Sequence, residues 1–268
     1  MIPPQRAGDH SDRNSTQRTE PKLLMTEPGK QQKKASFKRH WTQRASYAAL
    51  RVIVRMGGTL VFGFRTFGRE NVPDEGGVLI CANHQSNLDP PMLGAVSVRR
   101  MNFLAKKDLF RKQPFKWLIE HLDAIPIDRD GMGIGGIKET IRRLKRGEMV
   151  LIFPEGQRTV DGEMSPLMGG FCALAKRTRV PMLPIGFDGA FQAWPRGILL
   201  PRRSHIWVVV GKPITPDDYD DLSNEEMIEL LETRIRDCFE DARKRRRYAE
   251  RIKSDPIRSD SIKSDRIK

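Results

Sequence analysis

Between Arg69 and Gly211 short, almost wholly apolar runs recur with amphipathic stretches between them. The runs are Val78–Ala82, Asn102–Ala105, Ala124–Ile127, Met149–Phe153, Met182–Phe187 and Ile206–Val210. Runs of this length and character read as buried strands. Helical patterns fill Met92–Val98, Pro114–Leu122, Ile134–Arg146 and Phe171–Arg177. Strands alternating with helices predict an α/β fold, a largely parallel or mixed sheet flanked by helices on both faces. Beyond it, Ser223-Asn224-Glu225-Glu226 is a capping box that opens a last helix. Met227, Leu231, Ile235, Cys238 and Ala242 face the core by helical period, and the basic run Arg243–Arg247 is expected to end that helix.

The segments outside this alternation behave differently. Residues 1–40 are polar, carry prolines at 3, 4, 21 and 28, and read as a disordered basic tail. The N-terminus, Met1-Ile2-Pro3-Pro4-Gln5-Arg6, lacks the apolar core of a secretory signal. Residues 248–268 contain a period-five repeat of Ile, Lys or Arg, Ser and Asp; that period suits neither helix nor strand and predicts a low-complexity tail. Residues 1–40 hold 9 Lys/Arg against 4 Asp/Glu and residues 241–268 hold 11 against 5, so +5 and +6 of the net +14 lie in the tails. Basic tails attract any polyanion, an anionic lipid surface included. No aromatic-rich RNA-binding signature accompanies them, and no specific nucleic-acid partner is expected.

Residues 41–66 are the most apolar long segment. Arg44, Arg51 and Arg55 fall on one helical stripe, and the longest uncharged stretch, Met56 to Phe64, is nine residues. A spanning helix needs about 20 predominantly apolar residues. The segment therefore predicts an amphipathic membrane-binding helix lying in the interface, with its arginines at the headgroups and a break at Gly57-Gly58. The body of the protein is then 67–247. Cys81, Cys172 and Cys238 match no metal or redox spacing and suit a reducing compartment. Cys81 lies within an apolar run, where a buried inert thiol is the natural reading.

Chemistry concentrates where strands end. Asn83-His84-Gln85-Ser86-Asn87-Leu88-Asp89 follows the first long apolar run, and Asp89-Pro90-Pro91 signals a helix start. A bent loop can bring His84 and Asp89 together, and a carboxylate that holds an imidazole leaves its other nitrogen free as a base. The Asn-His-x-x-x-x-Asp pattern resembles the first motif of the lysophosphatidic acid and glycerolipid acyltransferases. Ile125-Pro126-Ile127-Asp128-Arg129 resembles that family's second motif, and Phe153-Pro154-Glu155-Gly156-Gln157-Arg158 closely resembles its third, Phe-Pro-Glu-Gly-x-Arg. Val180-Pro181-Met182-Leu183-Pro184-Ile185 resembles the fourth, and Val210-Gly211-Lys212-Pro213-Ile214 the last core strand. Gln157 stands where many relatives carry threonine.

The resemblance implies a glycerol-phosphate acyltransferase-like fold and a fatty acyl transfer to the free hydroxyl of 1-acylglycerol-3-phosphate, making phosphatidic acid for phospholipid synthesis. His84 would be the general base and Asp89 its orienting partner. Arg129 and Arg158 would bind the acceptor phosphate, Glu155 and Gly156 would shape the glycerol site, and Pro184 would lie near the acyl chain. The donor would be acyl-CoA or acyl carrier protein as co-substrate, with no cofactor and no metal. The protein would work at the cytoplasmic face of a membrane, peripheral or monotopic, against an anionic lipid surface and a lysophospholipid acceptor. Backbone amides near the helix start after Asp89 are the expected oxyanion donors. Another lysolipid or glycerol 3-phosphate is the alternative acceptor; a non-catalytic basic binder of membrane or nucleic acid is the alternative class. Gly131-Met132-Gly133-Ile134-Gly135-Gly136 fits a dinucleotide fingerprint in outline, but Asp128 and Asp130 beside it would repel a pyrophosphate, and the stretch reads as a loop near the acceptor site.

Overall fold

The computed structural model describes residues 41–106, 124–127 and 133–254. The expected helix Pro114–Leu122 with His121, the residue Arg129 and both tails beyond these limits lie outside the described residues. Helix α1 (Trp41–Phe62) leads to strand β1 (Arg65–Phe67). Then follow β2 (Val78–Ala82), α2 (Asp89–Gly94), β3 (Met101–Lys106), β4 (Ile125–Ile127), α3 (Ile134–Lys145) and β5 (Met149–Ile152). The chain closes with α4 (Gly170–Thr178), β6 (Met182–Asp188), α5 (Ala190–Ala193), β7 (Trp207–Val210), α6 (Pro216–Tyr219) and α7 (Asn224–Ser254).

These strands form one seven-stranded sheet in the order β1-β7-β6-β2-β5-β3-β4. From β6 to β4 all neighbours are parallel; β7 runs antiparallel to β6 and pairs in parallel with β1. The sheet is therefore mixed, with six strands where the sequence places them. The seventh, β1, is three residues long and half-exposed at the sheet edge, and gives no apolar run to read.

Side chains alternate across the sheet, so each strand feeds two cores. Val78, Ile80, Ala82, Leu183, Ile185 and Phe187 face Tyr47 and Phe62 of α1 and Met92 and Leu93 of α2. Leu79, Cys81, Val150, Ile152 and Met182 face Phe171 and Leu174 of α4 and Met227, Leu231, Ile235 and Phe239 of α7. Burying those four α7 side chains contributes roughly 6–12 kcal/mol. At Gly186 the approach is so close that a Cβ would stand 2.1 Å from the Phe239 nitrogen, so only glycine lets α7 lie on β6. The capping box forms as expected: Ser223 N–H donates to Glu226 Oε2 (2.7 Å) and Glu226 N–H to Ser223 Oγ (3.1 Å).

Three expectations are corrected here. Gly57-Gly58 does not break α1, which runs unbroken to Phe62. Arg51 does not face outward to headgroups; its guanidinium donates to the carbonyls of Ser97 (3.3 Å) and Val98 (2.8 Å) and docks α1 on the turn after α2. The last helix does not stop at Arg247 but runs to Ser254. It continues because two of its arginines have partners inside the protein. Arg246 Nε donates to Asp188 Oδ2 (2.6 Å) and Arg246 Nη1 to Glu250 Oε1 (2.8 Å), while Arg243 grips both oxygens of Glu163 (2.8 and 2.9 Å).

Candidate active site

Strands β6, β2 and β5 are adjacent and parallel, so their carboxyl ends open at one edge of the sheet, where open α/β sheets bind ligands. Cys81 pairs with Ile152 and Ala82 with Ile185. That register delivers the loop after β2, with His84, beside the loop after β5, with Glu155.

The His84 loop is held by its own buried polar side chains. Asn83 mimics a strand partner: its amide donates to the Phe187 carbonyl (2.9 Å) and its carbonyl accepts the Phe187 N–H (2.6 Å). Gln85 donates to the Gly162 carbonyl (2.9 Å) and accepts the Ala190 N–H (3.1 Å), and Ser86 Oγ donates to the Trp194 carbonyl (2.9 Å). Sequence reasoning assigned no role to these three. The available signal was a cluster of polar side chains directly after a fully apolar strand, where every buried group needs a partner.

His84 Nδ1 and Asp89 Oδ2 stand 2.8 Å apart. The same oxygen accepts the N–H groups of Gln85 (2.6 Å) and Ser86 (2.7 Å), and Asp89 is fully buried. Asp89 is the first residue of α2 rather than a cap for it; its carboxylate turns back to the loop that carries His84. The imidazole stacks on Phe153, centroids 3.8 Å apart and planes 12° from parallel. Carboxylate and aromatic face fix the ring, and Nε2 is the nitrogen left to act. The expected oxyanion donors are not supplied by the start of α2. The Asp89 N–H is bonded to Ser86 (3.2 Å), Pro90 and Pro91 have none, and Met92 donates to Leu88 (3.0 Å).

Glu155 joins this assembly in a way the motif does not announce. Oε1 accepts the His84 N–H (2.7 Å) and Oε2 accepts the Ser165 N–H (2.8 Å). The side chain is 4% exposed, so it braces the two loops rather than offering a carboxylate to a ligand. Burial pushes its carboxyl above the ordinary value, against the pull of the Ser165 and His84 amides. A further tie runs from Thr159 N–H to the His84 carbonyl (2.9 Å). Gly156 takes φ +71° at the tight turn after Glu155, and a Cβ there would meet Met168 Sδ at 2.6 Å.

Arg158 is half-buried and, among the described residues, makes no hydrogen bond or ion pair. Burial lowers its pKa and the nearby Arg196 adds to the effect, while Asp89 opposes it. A cation so placed is available for an anion. Pro184 is not brought to this site. It faces α7, its ring and Cys238 Sγ lying 3.0 and 2.7 Å from where a Cβ on Gly211 would stand. Cys81 is fully buried in the core on that same face. Among the described residues no group of three His, Cys, Asp or Glu side chains is placed to hold a metal.

A mixed α/β sheet here presents a carboxylate-held histidine at the carboxyl ends of its central strands, an arrangement suited to general-base catalysis. The Acyltransferase family model matches residues 63–188. A 1-acyl-sn-glycerol-3-phosphate acyltransferase of Bacillus subtilis (strain 168) is 31% identical over 194 residues, covering 70% of this chain and 92% of that protein. One from Streptococcus pneumoniae is 31% identical over 169 residues, covering 62% of this chain and 60% of that protein. The crystal structure of the 1-acyl-sn-glycerophosphate acyltransferase PlsC from Thermotoga maritima shares the fold, with a TM-score of 0.66 and 24% identity, over 76% of this chain and 83% of that one. The chain belongs to the acyltransferase family and is an acyltransferase.

Proposed function

We propose that this protein transfers a fatty acyl group from a thioester to the free hydroxyl of 1-acylglycerol-3-phosphate, giving phosphatidic acid for phospholipid synthesis. The observation that carries the reading is His84 held at Nδ1 by Asp89, with Nε2 unencumbered. Nε2 takes the acceptor's hydroxyl proton as the oxygen attacks the thioester carbonyl. The tetrahedral adduct collapses by breaking the C–S bond, and the departing sulfur receives the proton from the imidazolium. Asp89 keeps the ring oriented and offsets its transient charge. Arg158 holds the acceptor phosphate by charge-assisted hydrogen bonds. Arg129, outside the described residues, is proposed beside it from the family resemblance. The donor is acyl-CoA or acyl carrier protein, with no resident cofactor.

Membrane association is part of this proposal, at the cytoplasmic face. The outer face of α1 leaves Ile53, Met56 and Leu60 at 65%, 59% and 74% exposure, an apolar stripe that water does not favour. By length and composition Ala45–Phe62 is apolar enough to cross a bilayer. The opposite face, however, is docked: Tyr47 is buried with its hydroxyl accepting the Met101 N–H (3.2 Å), and Arg51 is bonded as above. Those contacts favour a helix lying in the interface.

The test is thiol release from palmitoyl-CoA with and without lysophosphatidic acid. Release that depends on the acceptor supports the proposal. Acceptor-independent release means a thioesterase, and a panel of lysophospholipids and glycerol 3-phosphate decides the acceptor.

A further inference from the structure

The segment that links the site to the end of α1 carries a feature the reaction does not use. Ile198, Leu199 and Leu200 are consecutive and 39%, 86% and 71% exposed. Isolated surface leucines need no explanation, but three in a row on a loop tip do. The loop is built rather than loose. Its base is closed by the Arg202 N–H to the Ala193 carbonyl (2.7 Å), and Trp194 Nε1 donates to the Ile198 carbonyl (2.7 Å). Pro195 and Pro201 flank the tip, and Gly197 turns it at φ +86° with nothing within 4 Å of its missing Cβ. Around the tip stand Arg196, Arg202 and Arg203, all exposed, and among the described residues no carboxylate pairs with them.

We propose that residues 194–203 form a membrane-inserting finger, with Leu199 and Leu200 entering an anionic bilayer and Arg196, Arg202 and Arg203 contacting its phosphates. An apolar tip flanked in sequence by exposed cations complements an anionic lipid surface: the hydrocarbon accepts the leucines and the headgroups accept the guanidinium groups. The chain that leaves the finger is joined to the end of α1. Ile206 N–H donates to the Phe62 carbonyl (2.9 Å), and Leu60, in the last turn of that helix, is 74% exposed. It is also tied to the site, because the carbonyl that Ser86 Oγ holds belongs to Trp194 at the finger's base (2.9 Å). Insertion would therefore seat the His84–Asp89 pair at the interface, where a lipid acceptor resides. This docking rests on the proposed reaction only for the rate measurement below.

Leu199→Cys labelled with acrylodan reads the tip directly, because Cys81, Cys172 and Cys238 are buried. Vesicles of phosphatidylcholine containing about one third phosphatidylglycerol should shift its emission to the blue and protect it from iodide, and high salt should reverse this only in part. A label that stays iodide-accessible on vesicles that sediment the protein overturns the finger. A blue shift without vesicles that grows with protein concentration also overturns it, in favour of a second copy of the chain. Leu199→Ser/Leu200→Ser should weaken vesicle partition by about ten- to a hundredfold with an unchanged unfolding transition. Arg202→Gln and Arg203→Gln should each reduce the preference for anionic over neutral vesicles by about fivefold. Turnover of vesicle-borne lysophosphatidic acid should fall with partition in the double-serine variant, while turnover of a water-soluble short-chain acceptor stays. Insertion of the label in a protein that acylates neither acceptor would sink the reaction and leave the finger standing.

Discussion

Glu155→Gln distinguishes a brace from a substrate ligand. Both carboxylate oxygens accept backbone N–H groups, from His84 at 2.7 Å and Ser165 at 2.8 Å. Glutamine has one acceptor oxygen, so its NH₂ must face one of those N–H groups. One bond becomes a donor–donor contact that leaves a buried N–H unpaired, which costs about 1–3 kcal/mol. The other loses its charge assistance, about 1 kcal/mol more. Relief from burying a charge offsets part of this, since burial already pushes the Glu155 carboxyl upward. A net loss of about 2–3 kcal/mol is expected in urea unfolding. The His84 loop loses its tie to the β5 loop, so kcat should drop at least about tenfold, each 1.4 kcal/mol being a factor of ten, while acceptor KM moves little. Initial rates against each substrate, the other saturating, give the split. A wild-type unfolding midpoint together with a raised acceptor KM and intact kcat would refute the brace and return Glu155 to the acceptor.

His84→Ala should abolish transfer while lysophosphatidic acid binding, followed by calorimetry, survives; near-normal turnover at saturating substrate would remove the mechanism. Arg158→Lys keeps a charge but loses the planar fork, so it should recover only part of the roughly 10- to 150-fold acceptor affinity that Arg158→Ala loses, with donor KM unchanged. Asp188→Ala removes the buried partner of Arg246 and leaves it only the half-exposed Glu250; burial alone would lower that guanidinium's pKa, yet Asp188 and Glu250 together hold it above the ordinary value. The variant should lose about 1.5–3 kcal/mol by denaturant titration, and adding Arg246→Met should restore part of it. Burial raises the Cys81 thiol and pushes Cys238 from 9.0 up to about 12. Unfolded thiols therefore shed protons above pH 9 that folded ones keep, so this contribution to stability is full below that pH and is lost as pH climbs toward 12. Native protein should accordingly give no fast reaction with Ellman's reagent at pH 8, and three thiols once unfolded.

Much of this was legible because the governing patterns are local. Five consecutive apolar residues, Val78 to Ala82, define β2, and Ser223 with Glu226 defines the start of α7, whatever the rest of the chain does. The misses share a different cause. Arg51 sits on a helical stripe that reads as solvent- or headgroup-facing, and only docking of α1 on the turn after α2 supplies carbonyls for it. Arg243 and Arg246 read as a terminal basic cluster because their acidic partners, Glu163 and Asp188, are 80 and 58 residues away. Pro184 follows the motif's order, but which face of β6 it takes depends on strand register. Leu183 and Ile185, its neighbours, face the α1 side.

The third motif makes the same point about chemistry. A Phe-Pro-Glu-Gly block states residue types, and a carboxylate between a turn and an arginine invites a polar ligand or the arginine as its partner. The parallel pairing of β2 with β5 decides otherwise, because it lays the His84 backbone against the Glu155 side chain. The polar groups nearest the histidine then all turn inward: Asn83 to β6, Gln85 to Gly162 and to the start of α5, Ser86 to Trp194, Glu155 to two amides. Each of these four side chains is hydrogen-bonded within the protein before any substrate arrives, whereas Oδ1 of Asp89 is buried without a partner among the described residues. Among the described residues, His84 Nε2 and the Arg158 guanidinium carry no hydrogen bond to the protein, a base and an anion holder on a scaffold that need not reorganise when charge develops. Such a scaffold favours the transition state over the ground state, which is why loss of a brace should appear in kcat and loss of Arg158 in acceptor KM.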